Sequence, residues 1–203
     1  MNGNLERVKE LINSEGLDVN AVNREGESYL HIAAANVDTD KAGEITKFLL
    51  SKGIKVDAKD NYGVTPLIGA ALWDNKKSAE VLIENGADID YQDTGKWQGT
   101  PILYSLTHIP IRYKVAKLLL AKDADVNVHF KNYTYDKNKN KWTPLHFAAD
   151  DGSLYMAWLL VDAGAEVNPV DENGKTPMYY AKQKQDAQHR VVFDYLKSKG
   201  GHE

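Results

Sequence analysis

The segment KNYTYDKNKNKW, residues 131–142, sets two tyrosines and a tryptophan among four lysines, with Asp136 its one acid. Rings interleaved with cations can stack on bases while lysines neutralise phosphates, the chemistry of single-strand binding. The same rings can anchor a protein partner, because they bury a large area at the cost of few rotatable bonds. The segment carries no arginine, which weakens bidentate phosphate contacts. The whole chain carries −4 and so offers no general basic field to nucleic acid. A protein partner is therefore favoured, with single-stranded nucleic acid as the alternative. Asn132-Tyr133-Thr134 also fits a glycosylation acceptor pattern, which has meaning only in a secretory setting.

The other residue types with chemical capacity lead less far. Without cysteine there is no disulfide, thiol catalysis, Cys-ligated zinc or iron–sulfur cluster. There is no HExxH, phosphate-cradling glycine loop or nucleophile elbow, so no reaction and no cofactor is expected. His108 and His129 are two isolated imidazoles, which do not make a metal site. Asp150 and Asp151 can receive a basic side chain, although adjacent acids on a helix are commonly just solvated. No run approaches the roughly 20 apolar residues that span a bilayer, and the start MNGNLERVKELI has no apolar signal core. A monomer without membrane contact is expected. The compartment is not encoded: cytoplasmic is slightly favoured, and secreted or periplasmic stays open if a leader was removed.

These residues must be positioned by something, and the chain repeats itself. VTPLIGAAL (64–72), GTPILYSLT (99–107), WTPLHFAAD (142–150) and KTPMYYAKQ (175–183) are copies, with ESYLHIAAA (27–35) a degenerate one. Their Ser/Thr positions are 37, 35, 43 and 33 residues apart. A second motif alternates in phase: GLDVN, GIKVD, GADID, DADVN and GAEVN. Thr65, Thr100, Thr143 and Thr176 can each cap a helix whose first residue is proline, where a missing N–H costs nothing. Alanines follow that allow close helix approach, then an apolar second helix ending at Gly53, Gly86 or Gly164. Asp123 stands where those glycines stand, so it should adopt the left-handed conformation at some cost.

DNYGVTPLIGAALWDNKKSAEVLIENGADIDYQ (60–92) resembles the ankyrin repeat, D-x-x-G-x-T-P-L-H-x-A-A followed by L-L-x-x-G-A-D-V-N, over all 33 positions. The resemblance implies an all-α solenoid of stacked helix pairs with β-hairpin fingers, which holds another protein by its fingertips and concave face. It places His31 and His146 where the family's histidine hydrogen-bonds neighbouring loops. The expected organisation is one domain: a partial repeat at 1–22, repeats at 23–59, 60–92, 93–129 and 130–170, and a capping repeat at 171–203. The partial first repeat suggests that residues upstream of Met1 exist in the native protein.

Departures from the repeat are where private function is sought. NVDTDKAGE (36–44) expands repeat one; DTGKWQGT (93–100) and THIPIRYK (107–114) expand repeat three. The largest runs from His129 to Thr143 and reads as a hairpin longer than a regular finger. Phe130, Tyr133, Tyr135 and Trp142, with Trp97 next door, form the expected exposed aromatic patch, flanked by Lys137 and Lys139. The alternative is that these rings only pack one finger on the next. Tyr62, Trp73, Tyr104, His108, Asp150 and Asp151 complete the expected partner-binding set, on the neighbouring finger and the first-helix face.

Overall fold

The computed structural model describes residues 5–13, 16–36, 40–95, 98–107, 113–131 and 141–203. Among them are α1 (Leu5–Asn13) and five helix pairs: α2 (Tyr29–Ala34) with α3 (Asp40–Ser51), α4 (Pro66–Leu72) with α5 (Lys76–Glu84), α6 (Pro101–Thr107) with α7 (Lys114–Leu120), α8 (Pro144–Asp150) with α9 (Leu154–Asp162), and α10 (Pro177–Gln183) with α11 (Ala187–Ser198). No helix among the described residues is long and apolar enough to cross a membrane.

Most of these helices are too short to persist alone in water, so each depends on the pair beside it. Local chemistry sets where they begin. The Thr65 and Thr176 hydroxyls accept from the N–H groups of Ile68 and Tyr179, with proline at the first helical position. The second helices are capped as well: Asn75, Ser153 and Asp186 accept from Ser78, Met156 and His189.

First helices stack in one row and second helices in another, and between them Leu30, Leu67, Ile102 and Leu145 face Leu49, Leu82, Leu119, Leu160 and Leu196, all fully buried. Burying such a leucine stabilises by roughly 1.5–3 kcal/mol. Alanine pairs (Ala33–Ala34, Ala70–Ala71, Ala148–Ala149) line the helix contacts, whereas the third pair has Ser105 and the larger Leu106 there. The stack loosens accordingly. α6 approaches α8 less closely than α4 approaches α6, and α7–α9 is the loosest of the successive second-helix contacts.

A ladder of side chains registers the loops behind the stack. Asp57 accepts from Asp88 N–H (3.2 Å), Asp90 from Asp125 N–H (2.9 Å), Asn127 from Glu166 N–H (2.9 Å) and Asn168 from His202 N–H (2.9 Å). The helix-end glycines ahead of these rungs are left-handed, with φ 85° at Gly86 and 91° at Gly164, and Asp123 takes φ 60° as its place in the repeat requires.

Candidate partner-binding surface

Each regular finger is shaped by one side chain. In Asn23, Asp60 and Asp171 the Oδ1 accepts two backbone N–H groups, those of Glu25 and Glu27, Tyr62 and Val64, and Asn173 and Lys175. The finger closes when the N–H of that residue donates to the carbonyl four residues on, as from Asp60 to Val64. The third finger is longer, and buried Asp93 bridges it by accepting from Gly95 and Gly99 N–H at 2.8 Å and from the Tyr104 hydroxyl at 2.6 Å. Burial, and then the adjoining Asp93, push the Tyr104 phenol far above its ordinary pKa. Gly99 suits the close packing beside it, since a Cβ there would lie 3.0 Å from the Tyr104 ring and the ring would have to yield.

In the fourth finger Phe130 takes the place of that carboxylate and Trp142 that of its closing partner. Phe130 N–H donates to Trp142 O and Lys141 N–H donates to Phe130 O, both at 2.7 Å. The sequence predicts a protruding aromatic patch, but Phe130 and Trp142 do not protrude. Phe130 and Trp142 are only 2% exposed and Tyr104 only 3%. Phe130 and Trp142 close the base of the fourth finger, and Tyr104 lies within α6 with its hydroxyl on Asp93. Trp142 lies 4.5 Å from the Tyr180 ring and 5.1 Å from Phe147, stacks on His146, and with Phe130 against Phe147 forms one aromatic cluster joining the last two helix pairs. These three residues hold the site's frame and offer a partner no ring.

Tyr62 (59% exposed) and Trp73 (55%) do face outward, on the second finger and at the C-terminal end of α4. Asp151 is exposed, but Asp150 is engaged within the chain. Its carboxylate pairs with Lys184 at 3.0 Å, and its carbonyl accepts from Lys184 Nζ (2.5 Å) and His189 Nε2 (2.7 Å), joining α8 to the last helix pair. Trp97, His108, Tyr133, Tyr135, Lys137 and Lys139 lie outside the described residues.

The histidines of α2 and α8 are structural. The N–H groups of Ser28 and Thr143 donate to Nδ1 of His31 and His146 at 3.1 Å, so Nε2 carries the proton and donates to Val64 O (3.0 Å) or Lys175 O (3.1 Å) in the following finger. Burial pushes the His146 imidazole down to about 4. Among the described residues no group of three potential ligands converges to hold a metal ion.

Sequence reasoning missed two features. Asp74, buried with φ 54°, accepts from Val115 N–H at 2.9 Å, while Asn75 Nδ2 donates to Ala34 O and Asn36 O at 3.1 Å, so adjacent polar residues lock three helix pairs together. The DN between LW and KK was the available signal, a polar pair that in sequence looks like the start of the charged run Lys76–Lys77. The second is a patch on α9, where Tyr155 and Trp158 are 48% and 47% exposed.

The model for ankyrin repeats in three copies matches residues 1–93 and 108–202. The chain belongs to the ankyrin-repeat family. The ankyrin family mediates protein–protein interaction and is typically a non-enzymatic scaffold. The interval left between the matches contains the expanded third finger and α6, the same place where the array departs from its own pattern. Relatives include Rabankyrin-5 of Homo sapiens, 27% identical over 85% of this chain and 14% of that protein. A putative palmitoyltransferase of Danio rerio is 29% identical over 89% of this chain and 31% of its own length. The ankyrin repeat protein OPG189 of Variola virus is 27% identical over 86% and 30%. The chain thus spans less than a third of each of these relatives.

Proposed function

We propose that this ankyrin array is a non-enzymatic adaptor that holds a protein partner around its third and fourth repeats, through the long fourth finger, the neighbouring finger and the first-helix face. One observation carries the reading. The residues that bracket the insertion, Phe130 on one side and Lys141 and Trp142 on the other, are hydrogen-bonded to each other, and Trp142 is rooted against Tyr180 and Phe147. The finger's closing hydrogen bonds are made by Phe130, Lys141 and Trp142, so that closure does not call on the inserted Tyr133, Tyr135, Lys137 and Lys139. Residues mounted on a fixed base lose less entropy on binding. Exposed Tyr62 and Trp73 add rigid anchors on the second finger and the first-helix row.

Deleting residues 133–140 leaves Phe130 and Trp142 at the spacing of Asp60 and Val64, a regular finger. The deletion should keep the helical far-ultraviolet spectrum and abolish capture of the native partner, and a Trp73→Ala variant should weaken it. Undiminished capture by the deletion variant overturns the proposal. Binding of a random single-stranded oligonucleotide that is lost in the deletion and falls steeply with salt would instead support the nucleic-acid alternative.

A further inference from the structure

The second helices repeat one another, which gives each solvent-facing position an internal reference. Aligned on Leu49, Leu82, Leu119, Leu160 and Leu196, the positions of Tyr155 and Trp158 hold Glu44 and Lys47 in α3, Lys77 and Glu80 in α5, and Lys114 and Lys117 in α7. Only the fourth repeat presents two large rings there. Leu154 on the same helix and Val191 on α11, aligned with Tyr155, are exposed too, so the apolar surface continues from α9 to α11. A soluble helix row has no structural need for it, since the other copies stand with charges.

The surroundings are not neutral. On the α7 side lie exposed Lys114 and Lys117, and the Lys117 ammonium sits 4.6 Å from the Tyr155 ring centre. On α11 Arg190 flanks the patch and exposed Asp194 stands at the position of Trp158, while Asp162 ends α9, so the basic wall is on the α7 side alone. The α7–α9 seam, the loosest in the row, runs between the lysines and the rings. It therefore has one basic and one aromatic wall.

We propose that this second-helix face is a separate docking surface for an acidic, apolar-anchored segment of a partner protein, its anchor on Tyr155, Trp158 and Val191 and its carboxylates toward Lys117 on the α7 side. Charge complementarity selects the occupant: a carboxylate meets the Lys117 ammonium beside the Tyr155 ring, whereas a basic segment meets repulsion on that wall. The surface is independent of the finger reading, and the array would hold two partners on two faces.

The other repeats supply a variant that keeps the fold. Tyr155→Lys with Trp158→Glu copies Lys77 and Glu80, and Trp158→Lys alone copies Lys117. A displayed library of random linear peptides is selected on the full chain, and recovered peptides are titrated by fluorescence anisotropy against the chain, both variants and the 133–140 deletion. The inference expects peptides pairing an aromatic or aliphatic anchor with Asp or Glu, at least about tenfold weaker on the double variant. Their affinity should fall with salt and be unchanged by the finger deletion. No recovered peptide, equal binding to both folded variants, or no enrichment of acidic residues overturns it. So does sedimentation showing self-association lost in the double variant, which would assign the face to a second copy. Variant-sensitive binding to phosphatidylserine vesicles with no peptide binding would assign it to a membrane and equally overturn it.

Discussion

His146 shows how one buried side chain couples the array to pH. Its neutral imidazole bonds its own helix cap and the next finger, and burial holds its pKa at about 4. Protonation therefore favours the unfolded chain. The stability this group contributes is complete above about pH 6.5 and declines as pH falls toward 4, by about 1.4 kcal/mol per unit. Chemical denaturation at stepped pH should show that slope, and His146→Gln should flatten it; an equal slope in the variant would place the titration elsewhere. Asp123 is a second residue-scale case. A Cβ at φ 60° costs about 1 kcal/mol, and a carboxylate after a helix faces the negative end of its dipole. Asp123→Gly should raise the melting midpoint despite the added chain entropy of glycine. A lower midpoint would mean that the carboxylate makes a compensating contact.

At the scale of the element, the fingers and loops are held by few polar atoms, each with a defined duty. Removing the Tyr104 hydroxyl leaves buried Asp93 short of a donor at its Oδ2, where Tyr104 and Gly99 now converge. Tyr104→Phe should cost about 1.5–3 kcal/mol, read by urea unfolding, because the lost bond is to a buried carboxylate. The rungs of the loop ladder are unequal. Asn127 and Asn168 also donate to Gly164 O and Gly200 O, but Asp57 has no such donor, and burial together with Asp88 raises its carboxyl pKa against the bond from Asp88 N–H. Asp57→Asn should stabilise by about 0.5 kcal/mol, a small effect for a partly exposed rung. The gain should grow as pH rises through the carboxylate range, where the ionised wild-type side chain is least suited to its site. Thermal melts at pH 4 and pH 7 would show it, and a variant no more stable at pH 7 would contradict it.

For the whole molecule, the consequence of a one-dimensional stack is that each repeat relies on its neighbours alone. The weak joint is between the third and fourth helix pairs, where Leu106 replaces a small residue and α7 and α9 stand apart. Native-state hydrogen exchange should therefore find lower protection in α6 and α7 than in α4 and α8. Uniform protection across the four helices would contradict a local opening. The α7–α9 seam of this joint runs through the second-helix patch, so a partner bound across it would raise protection of α7.

Much of this protein is determined by local rules. Thr-Pro caps, alanine pairs and the left-handed helix ends act over a few residues, so the helices, their order and the strained backbone of Asp123 were legible in the sequence. The site was less so. Spacing marked the 131–142 insertion as extra, but could not show that Phe130 and Trp142 stand at its base, because burial is decided by the residues opposite, here Phe147 and Tyr180. Asp150 looked solvated until Lys184 and His189 met it from the next repeat. The rings of α9 went unremarked in the sequence, where every position from Leu154 to Val161 is apolar or aromatic, and only the tertiary structure, by setting Leu160 inward and Trp158 outward, separated the side that packs from the side that is open.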